Sequence, residues 1–128
     1  NDISFIPIIF YFGAIFWTLG YDTIYGYQDI KDDEIIGLKS TSIKFKGREK
    51  KFIFLCYSIF TTLFLIGGYS MQFNYIYFSL FIITIFHLFF YQIKTFNPEN
   101  PFKCFKAFKS NNVLGMIILF NILIVKNI

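Results

Sequence analysis

ISFIPIIFYFGAIFWTLGY (residues 3–21) runs straight into DTIYGYQDIKDDEIIGLKSTS (residues 22–42), and the join between the two decides the fold. The first stretch is nineteen residues long without a charge, enough helix to cross the ~30 Å hydrocarbon layer of a bilayer. Pro7 and Gly13 do not argue against a span, because neighbouring helices can satisfy a disturbed membrane backbone. Gly13, Ala14 and Gly20 are small residues at which another helix can approach closely. The second stretch holds four of the five aspartates of the chain and a Gly-x-Lys-Ser element. Asp22 sits at the edge of the apolar run. An ionisable group at that depth is costly, and it is a functional-site candidate by default.

Further apolar runs follow at 52–71, 75–93 and 113–125. The chain is 55% hydrophobic and 23% aromatic with 16% charge, against about 25% charge in an average globular domain. Its charges are bunched between the apolar runs. The expectation is one all-α domain over residues 1–128, a polytopic transmembrane bundle with about four membrane helices here. A soluble domain is excluded. The net charge of +4 does not imply a nucleic-acid partner. Loops 27–51 and 94–112 carry eleven of the 12 Lys and Arg residues, and the turn at 68–74 carries none. Positive-inside topology explains that distribution, with both basic loops on the cytoplasmic or matrix side and the short turn opposite. Gly67-Gly68 is expected to end the second span. The last span is short for a full crossing, so Lys126 snorkels to the interface or the bilayer thins. Cys56, inside a span, and Cys104, in a loop, lack a CxxC pattern or a His at ligand spacing and read as small hydrophobes. His87, alone on an apolar helix, reads as a hydrogen-bonded helix contact.

The aspartates carry the chemistry. Asp22, Asp29 and Asp33 are spaced seven and four apart, within roughly 40° of one another on a continuous helix. Asp32 lies about a quarter-turn off that face. Like charges stacked on one face repel unless a cation is shared. Mg²⁺ suits the pattern, since it takes one or two carboxylates together with the phosphates of a substrate. A solvated acidic loop between two membrane helices has the same spacing and stays open as an alternative. Gly37 is expected to end the aspartate helix. Lys39 and Ser40 then occupy a turn facing it, an ammonium and a hydroxyl suited to a diphosphate. A calcium loop is excluded because Lys31 and Glu34 occupy places that need an oxygen ligand and a glycine. A DDxxD motif is excluded because residue 36 is Ile.

Asp22-Thr23-Ile24-Tyr25-Gly26-Tyr27-Gln28-Asp29, then Asp32-Asp33, then Gly37-Leu38-Lys39-Ser40-Thr41 closely resembles the second aspartate-rich motif of the UbiA family of intramembrane aromatic prenyltransferases. Agreement is best with the 4-hydroxybenzoate polyprenyltransferase branch, whose pattern runs D-T-x-Y-A-x-x-D, D-D, G-x-K-S-T. Gly26 stands where that pattern has Ala, and Lys46 is an insertion after Ser-Thr; both bear on loop packing. A second, weaker match is Cys104 to Asn111 with Gly115, resembling C-x-x-x-F-K-x-N-x-x-x-G. Here Asn111 or Asn112 is expected to cap the last helix, and Gly115 to allow close packing.

The resemblance implies a nine-helix fold around a central cavity, with two aspartate motifs at one mouth. It implies that Asp22, Asp29 and Asp33 hold Mg²⁺ against the diphosphate of a polyprenyl diphosphate. Lys39, Ser40, Gln28, Tyr27 and Asn111 become substrate contacts. Tyr25, with Tyr27, becomes a candidate to stabilise the allyl cation through its ring face. The acceptor implied is the ring of 4-hydroxybenzoate, in ubiquinone biosynthesis, at a bacterial or mitochondrial inner membrane. The resemblance covers nearly all of this chain but only the later half of a family member, without the first aspartate motif. The chain opens on Asn1 with no basic leader, so an internal-to-C-terminal piece is expected, inactive without its N-terminal half. Alternatives are a sister enzyme acting on a naphthoate, homogentisate, haem or chlorophyll precursor, or a non-catalytic membrane bundle.

Overall fold

The computed structural model describes residues 5–127, so residues 3 and 4 of the expected first span lie outside it. The order of elements is α1 (Ile6–Gly26), a 3₁₀ turn (Tyr27–Asp29), α2 (Ile30–Ile35), α3 (Thr41–Lys44), α4 (Glu49–Ser70), α5 (Tyr75–Phe86), a π-helical segment (His87–Gln92), α6 (Ile93–Thr95), α7 (Pro101–Lys109) and α8 (Asn111–Asn127). No strand occurs among the described residues beyond an isolated bridge between Asn97 and Asn100. Among the described residues, three helical stretches are long and apolar enough to cross a membrane: Glu49–Ser70, Tyr75–Thr95 and Pro101–Val125. The expected first span becomes α1, which is not among these three. It runs five residues past Tyr21, through Asp22 and Thr23, and so carries polar groups at its C-terminal end.

α1 and α4 form the most extensive pairing of the bundle, and glycines set their separation. A Cβ at Gly13 would come 2.8 Å from the Phe64 ring, and one at Gly20 would come 2.6 Å from the Tyr57 ring. Gly67 answers from α4, where a Cβ would come 2.7 Å from Phe10. The small-residue reading of Gly13 and Gly20 therefore holds, with large aromatics as the opposing knobs. Gly67 and Gly68 do not end the helix as expected. Both are buried inside it, leaving room for Phe10 and Tyr77, and α4 continues to Ser70. The reversal comes instead at Gln72, at φ 58°, and Asn74 caps α5 by accepting from the Ile76 amide at 3.1 Å. The core between the helices is aromatic: Trp17 stacks on Phe60, Phe64 on Phe81, and Tyr77 on Phe81.

The expected loop at 94–112 is mostly helical. Asn100 caps α7 by accepting from the Phe102 and Lys103 amides, and Pro101 takes the first-turn position that needs no amide hydrogen. Cys104 and Ala107 turn the buried face of α7 inward, so Cys104 sits in a helix and not in a loop. With α7 preceding α8, the last span extends over 25 residues and is not short. His87 makes the helix contact expected of it, with Nε2 3.1 Å from Ser110 Oγ.

Candidate functional site

The aspartates lie where α1 gives way to three short segments. α1 ends at Gly26, the backbone tightens into the 3₁₀ turn, and α2 begins at Ile30. The continuous helix assumed for residues 22–33 is therefore interrupted, and the 100° projection does not describe their geometry. Asp22 is exposed one turn before the end of α1. Asp29 is the last residue of the 3₁₀ turn, exposed, and its side chain caps nothing. Asp33 is half-buried in the first turn of α2. Asp32 is exposed and lines a cleft of about 600 Å³ with Tyr27, Gln28, Glu49 and Pro98.

Gly37 ends the aspartate segment as expected. At φ 76° it lets the Leu38 amide turn back to the Asp33 carbonyl at 2.9 Å and its own amide to Glu34 at 3.2 Å. The chain then returns to α1. Thr23 Oγ1 lies 2.6 Å from Thr41 Oγ1, and Ser42 Oγ donates to the Thr23 carbonyl at 2.8 Å. These bonds tie the Lys-Ser-Thr-Ser segment to the residue beside Asp22. A Cβ at Gly26 would run into Ser42 Oγ, which is a physical reason for glycine in place of the alanine of the family pattern. The inserted Lys46 pairs with Glu34 at 2.8 Å, the one ion pair among the described residues. Both partners are exposed, so the pair contributes at most about 1 kcal/mol.

The remaining sequence candidates divide into two groups. Lys39 is exposed and lines a shallow pocket of about 530 Å³ with Ser40, Leu38 and Lys44. Ser40 caps α3, its Oγ accepting from the Ile43 amide at 3.3 Å. Tyr25 is 43% exposed and rests against Phe108, with ring centroids 4.6 Å apart. Tyr27 differs: it is 2% exposed, one face covered by Phe96, with its hydroxyl buried and unpartnered. Burial, and then the Glu49 carboxylate, push that hydroxyl above the ordinary tyrosine range, so it stays protonated. Gln28 beside it has a buried, unpartnered Nε2. Asn111 does not sit among the aspartate residues by its bonds. Its Oδ1 accepts from Trp17 Nε1 at 3.0 Å and Gln92 Nε2 at 2.9 Å, and its Nδ2 donates to the Phe108 carbonyl at 3.1 Å. It is the first residue of α8 and serves as a junction between helices, not as the helix cap that was expected.

Carboxylate oxygens are hard donors, and Asp22, Asp29 and Asp33 have no ion-pair partner among the described side chains. No group of three or more His, Cys, Asp or Glu side chains among the described residues is placed to hold a metal ion, so Asp22, Asp29 and Asp33 are not brought together as one ligand set. Magnesium does not need such a set, since it takes one or two carboxylates with waters and substrate phosphates. Carboxylate oxygens are the donor type that magnesium takes. Sequence reasoning missed the Thr23–Thr41–Ser42 bonds, although Ser and Thr after a Gly turn are ready docking groups. It missed Gln92 entirely, because an isolated glutamine in an apolar run gives no period to read.

The model of the UbiA prenyltransferase family matches residues 1–120. The chain is 40% identical over 115 residues to 4-hydroxybenzoate polyprenyltransferase, mitochondrial, of Bos taurus, covering 89% of this chain and 30% of that protein. It is 39% identical over 123 residues to 4-hydroxybenzoate octaprenyltransferase of Pasteurella multocida, covering 91% and 41%. Against 4-hydroxybenzoate polyprenyltransferase, mitochondrial, of Homo sapiens it is 37% identical over 115 residues, covering 89% and 30%. The chain thus spans between 30% and 41% of the length of these curated relatives. No solved structure matches it. With three membrane-length apolar helices, an aspartate turn closed by Gly-x-Lys-Ser-Thr, and a family match over residues 1–120, the chain belongs to the UbiA prenyltransferase family.

Proposed function

We propose that this chain forms the second aspartate cluster of a 4-hydroxybenzoate polyprenyltransferase, with the first cluster supplied by a preceding segment of the same polypeptide. The observation that carries this reading is the aspartate turn itself, docked to α1 through Thr41 and Ser42 within a chain 39–40% identical to relatives of that name. Asp29 and Asp33, with Asp22, hold a magnesium ion against the diphosphate of the polyprenyl donor. When bound, the ion neutralises charge that develops on the leaving diphosphate. Lys39 adds an ammonium on the phosphates as a point charge. Tyr25, exposed beside Asp22, offers its ring face to positive charge on the departing allyl group. The apolar helices below the turn take the prenyl chain and keep water from it.

Lys39→Ala in the polypeptide that carries both clusters is expected to raise the KM for prenyl diphosphate roughly tenfold, the size of one lost hydrogen bond to a charged group. The KM for 4-hydroxybenzoate should stay within about twofold. A change confined to the acceptor would remove Lys39 from the diphosphate site.

The membrane orientation follows from the same reading. The basic aspartate loop faces the cytoplasm or matrix of an inner membrane, and the uncharged turn near Asn74 faces the opposite side. Cysteines introduced at positions 74 and 103 should label with impermeant reagent from opposite sides. Equal labelling from one side would overturn the topology.

A further inference from the structure

We propose that Gln92 and Asn111 are positioning residues that hold the aspartate-bearing end of α1 at its working place. This rests on the reading that this end of α1 handles a diphosphate. Both amides are buried, Gln92 at 0% and Asn111 at 8% exposure, in segments that are otherwise apolar. An unsatisfied buried amide is costly, so such a pair persists only where its bonds are filled. They are filled here by four different elements. Tyr57 of α4 donates its hydroxyl to Gln92 Oε1 at 2.6 Å. Gln92, the last residue of the π-helical segment, donates Nε2 to Asn111 Oδ1 at 2.9 Å, and Trp17 of α1 donates Nε1 to that same oxygen at 3.0 Å. The wide turn at His87–Gln92 is the local irregularity from which Gln92 joins this network. Such turns recur at functional sites.

From Asn111 the network reaches Asp22 by two routes. The first is Trp17, whose ring meets Tyr21 edge-on at 5.6 Å, next to Asp22 in the chain. The second is Phe108, whose carbonyl accepts from Asn111 Nδ2 and whose ring contacts both Tyr21 at 5.7 Å and Tyr25 at 4.6 Å. Tyr21 and Tyr25 bracket Asp22 on α1. The glycine contacts of α1 with α4 fix the spacing of those two helices. The amide network adds the link from α1 to α7 and α8, and with it the rotation of α1 about its own axis. Asp22 is exposed and has no described ion-pair partner, so that rotation decides where its carboxylate lies.

The test compares Gln92→Met, which keeps size and loses the amide, with Gln92→Glu, whose neutral acid can accept from Tyr57 and donate to Asn111. Asn111→Leu is the second disrupting variant. Each is placed in the polypeptide that carries both aspartate clusters, in lipid nanodiscs. Three quantities are read: equilibrium binding of geranyl diphosphate with Mg²⁺, binding of 4-hydroxybenzoate, and the emission of Trp17 as a difference against a Trp17→Phe control. Gln92→Met and Asn111→Leu should weaken geranyl diphosphate binding about tenfold and shift the Trp17 emission, with 4-hydroxybenzoate binding within about twofold and Gln92→Glu close to the parent. A parallel loss of both ligands and of thermal stability, which a purely structural role gives, would overturn the proposal. So would unchanged diphosphate binding beside a shifted Trp17 emission. Absence of Mg²⁺-dependent geranyl diphosphate binding in the parent itself would overturn the functional reading first.

Discussion

Asp29→Ala and Asp33→Ala, each made singly, are expected to lower Mg²⁺-dependent prenyl transfer roughly 10²–10³-fold. Each removes a hard oxygen donor from the proposed site, which must balance the charge developing on a diphosphate in the transition state. Asp29 closes the 3₁₀ turn and Asp33 lies in the first turn of α2, and neither side chain holds the fold by a cap or an ion pair among the described residues. Expression and membrane insertion should be unchanged. Asp32→Ala is the internal comparison. Its side chain lines the cleft with Tyr27, Glu49 and Pro98, and its loss should reduce transfer less than tenfold. Radiolabelled prenyl transfer in membranes reads all three. Normal transfer by the Asp29 or the Asp33 variant would return the aspartate turn to a solvated loop.

Gly20→Leu should have the largest effect on stability. A Cβ alone would come 2.6 Å from the Tyr57 ring, and a leucine must push that ring away. Overpacking of this kind costs about 1–3 kcal/mol. Displacing Tyr57 also breaks its 2.6 Å hydrogen bond to Gln92, adding about 1 kcal/mol. A fall in melting temperature of roughly 10 °C in detergent is expected. Gly115→Ala is the control, because a Cβ there would meet the Trp17 ring at 3.6 Å, an ordinary contact. It should melt within about two degrees of the parent. Equal melting of the two variants would mean that Gly20 does not set the distance between α1 and α4.

The apolar runs made the long helices legible, because a chain of this composition has few other ways to satisfy its backbone in a membrane. The boundaries were less legible. Gly67 and Gly68 read as a stop, yet they sit inside α4 because Phe10 and Tyr77 need the space. Residues 94–112 read as a loop because of Pro98, Pro101 and four lysines. The signal that would have corrected this is Asn100-Pro101, a capping residue followed by a first-turn proline, with Cys104, Ala107 and Asn111 recurring on one face. The aspartate turn was legible as chemistry but not as geometry. Nothing local marks the 3₁₀ interruption at Tyr27–Asp29, where the buried Tyr27 ring lies parallel to Phe96. Asparagine favours the cap position, and only the fold reveals Trp17 and Gln92 as the partners of Asn111. Tertiary contacts between residues 94 and 19 positions apart leave no trace in a local pattern.

The most direct measurement is prenyl transfer by membranes containing the polypeptide that carries both aspartate clusters, supplied with a polyprenyl diphosphate and 4-hydroxybenzoate. The product is identified by mass. The proposed function predicts a ring-prenylated 4-hydroxybenzoate that requires Mg²⁺, vanishes with EDTA, and is lost in the Asp29→Ala and Asp33→Ala variants. Transfer that persists in EDTA, or prenylation of a naphthoate or homogentisate with 4-hydroxybenzoate left untouched, would contradict it.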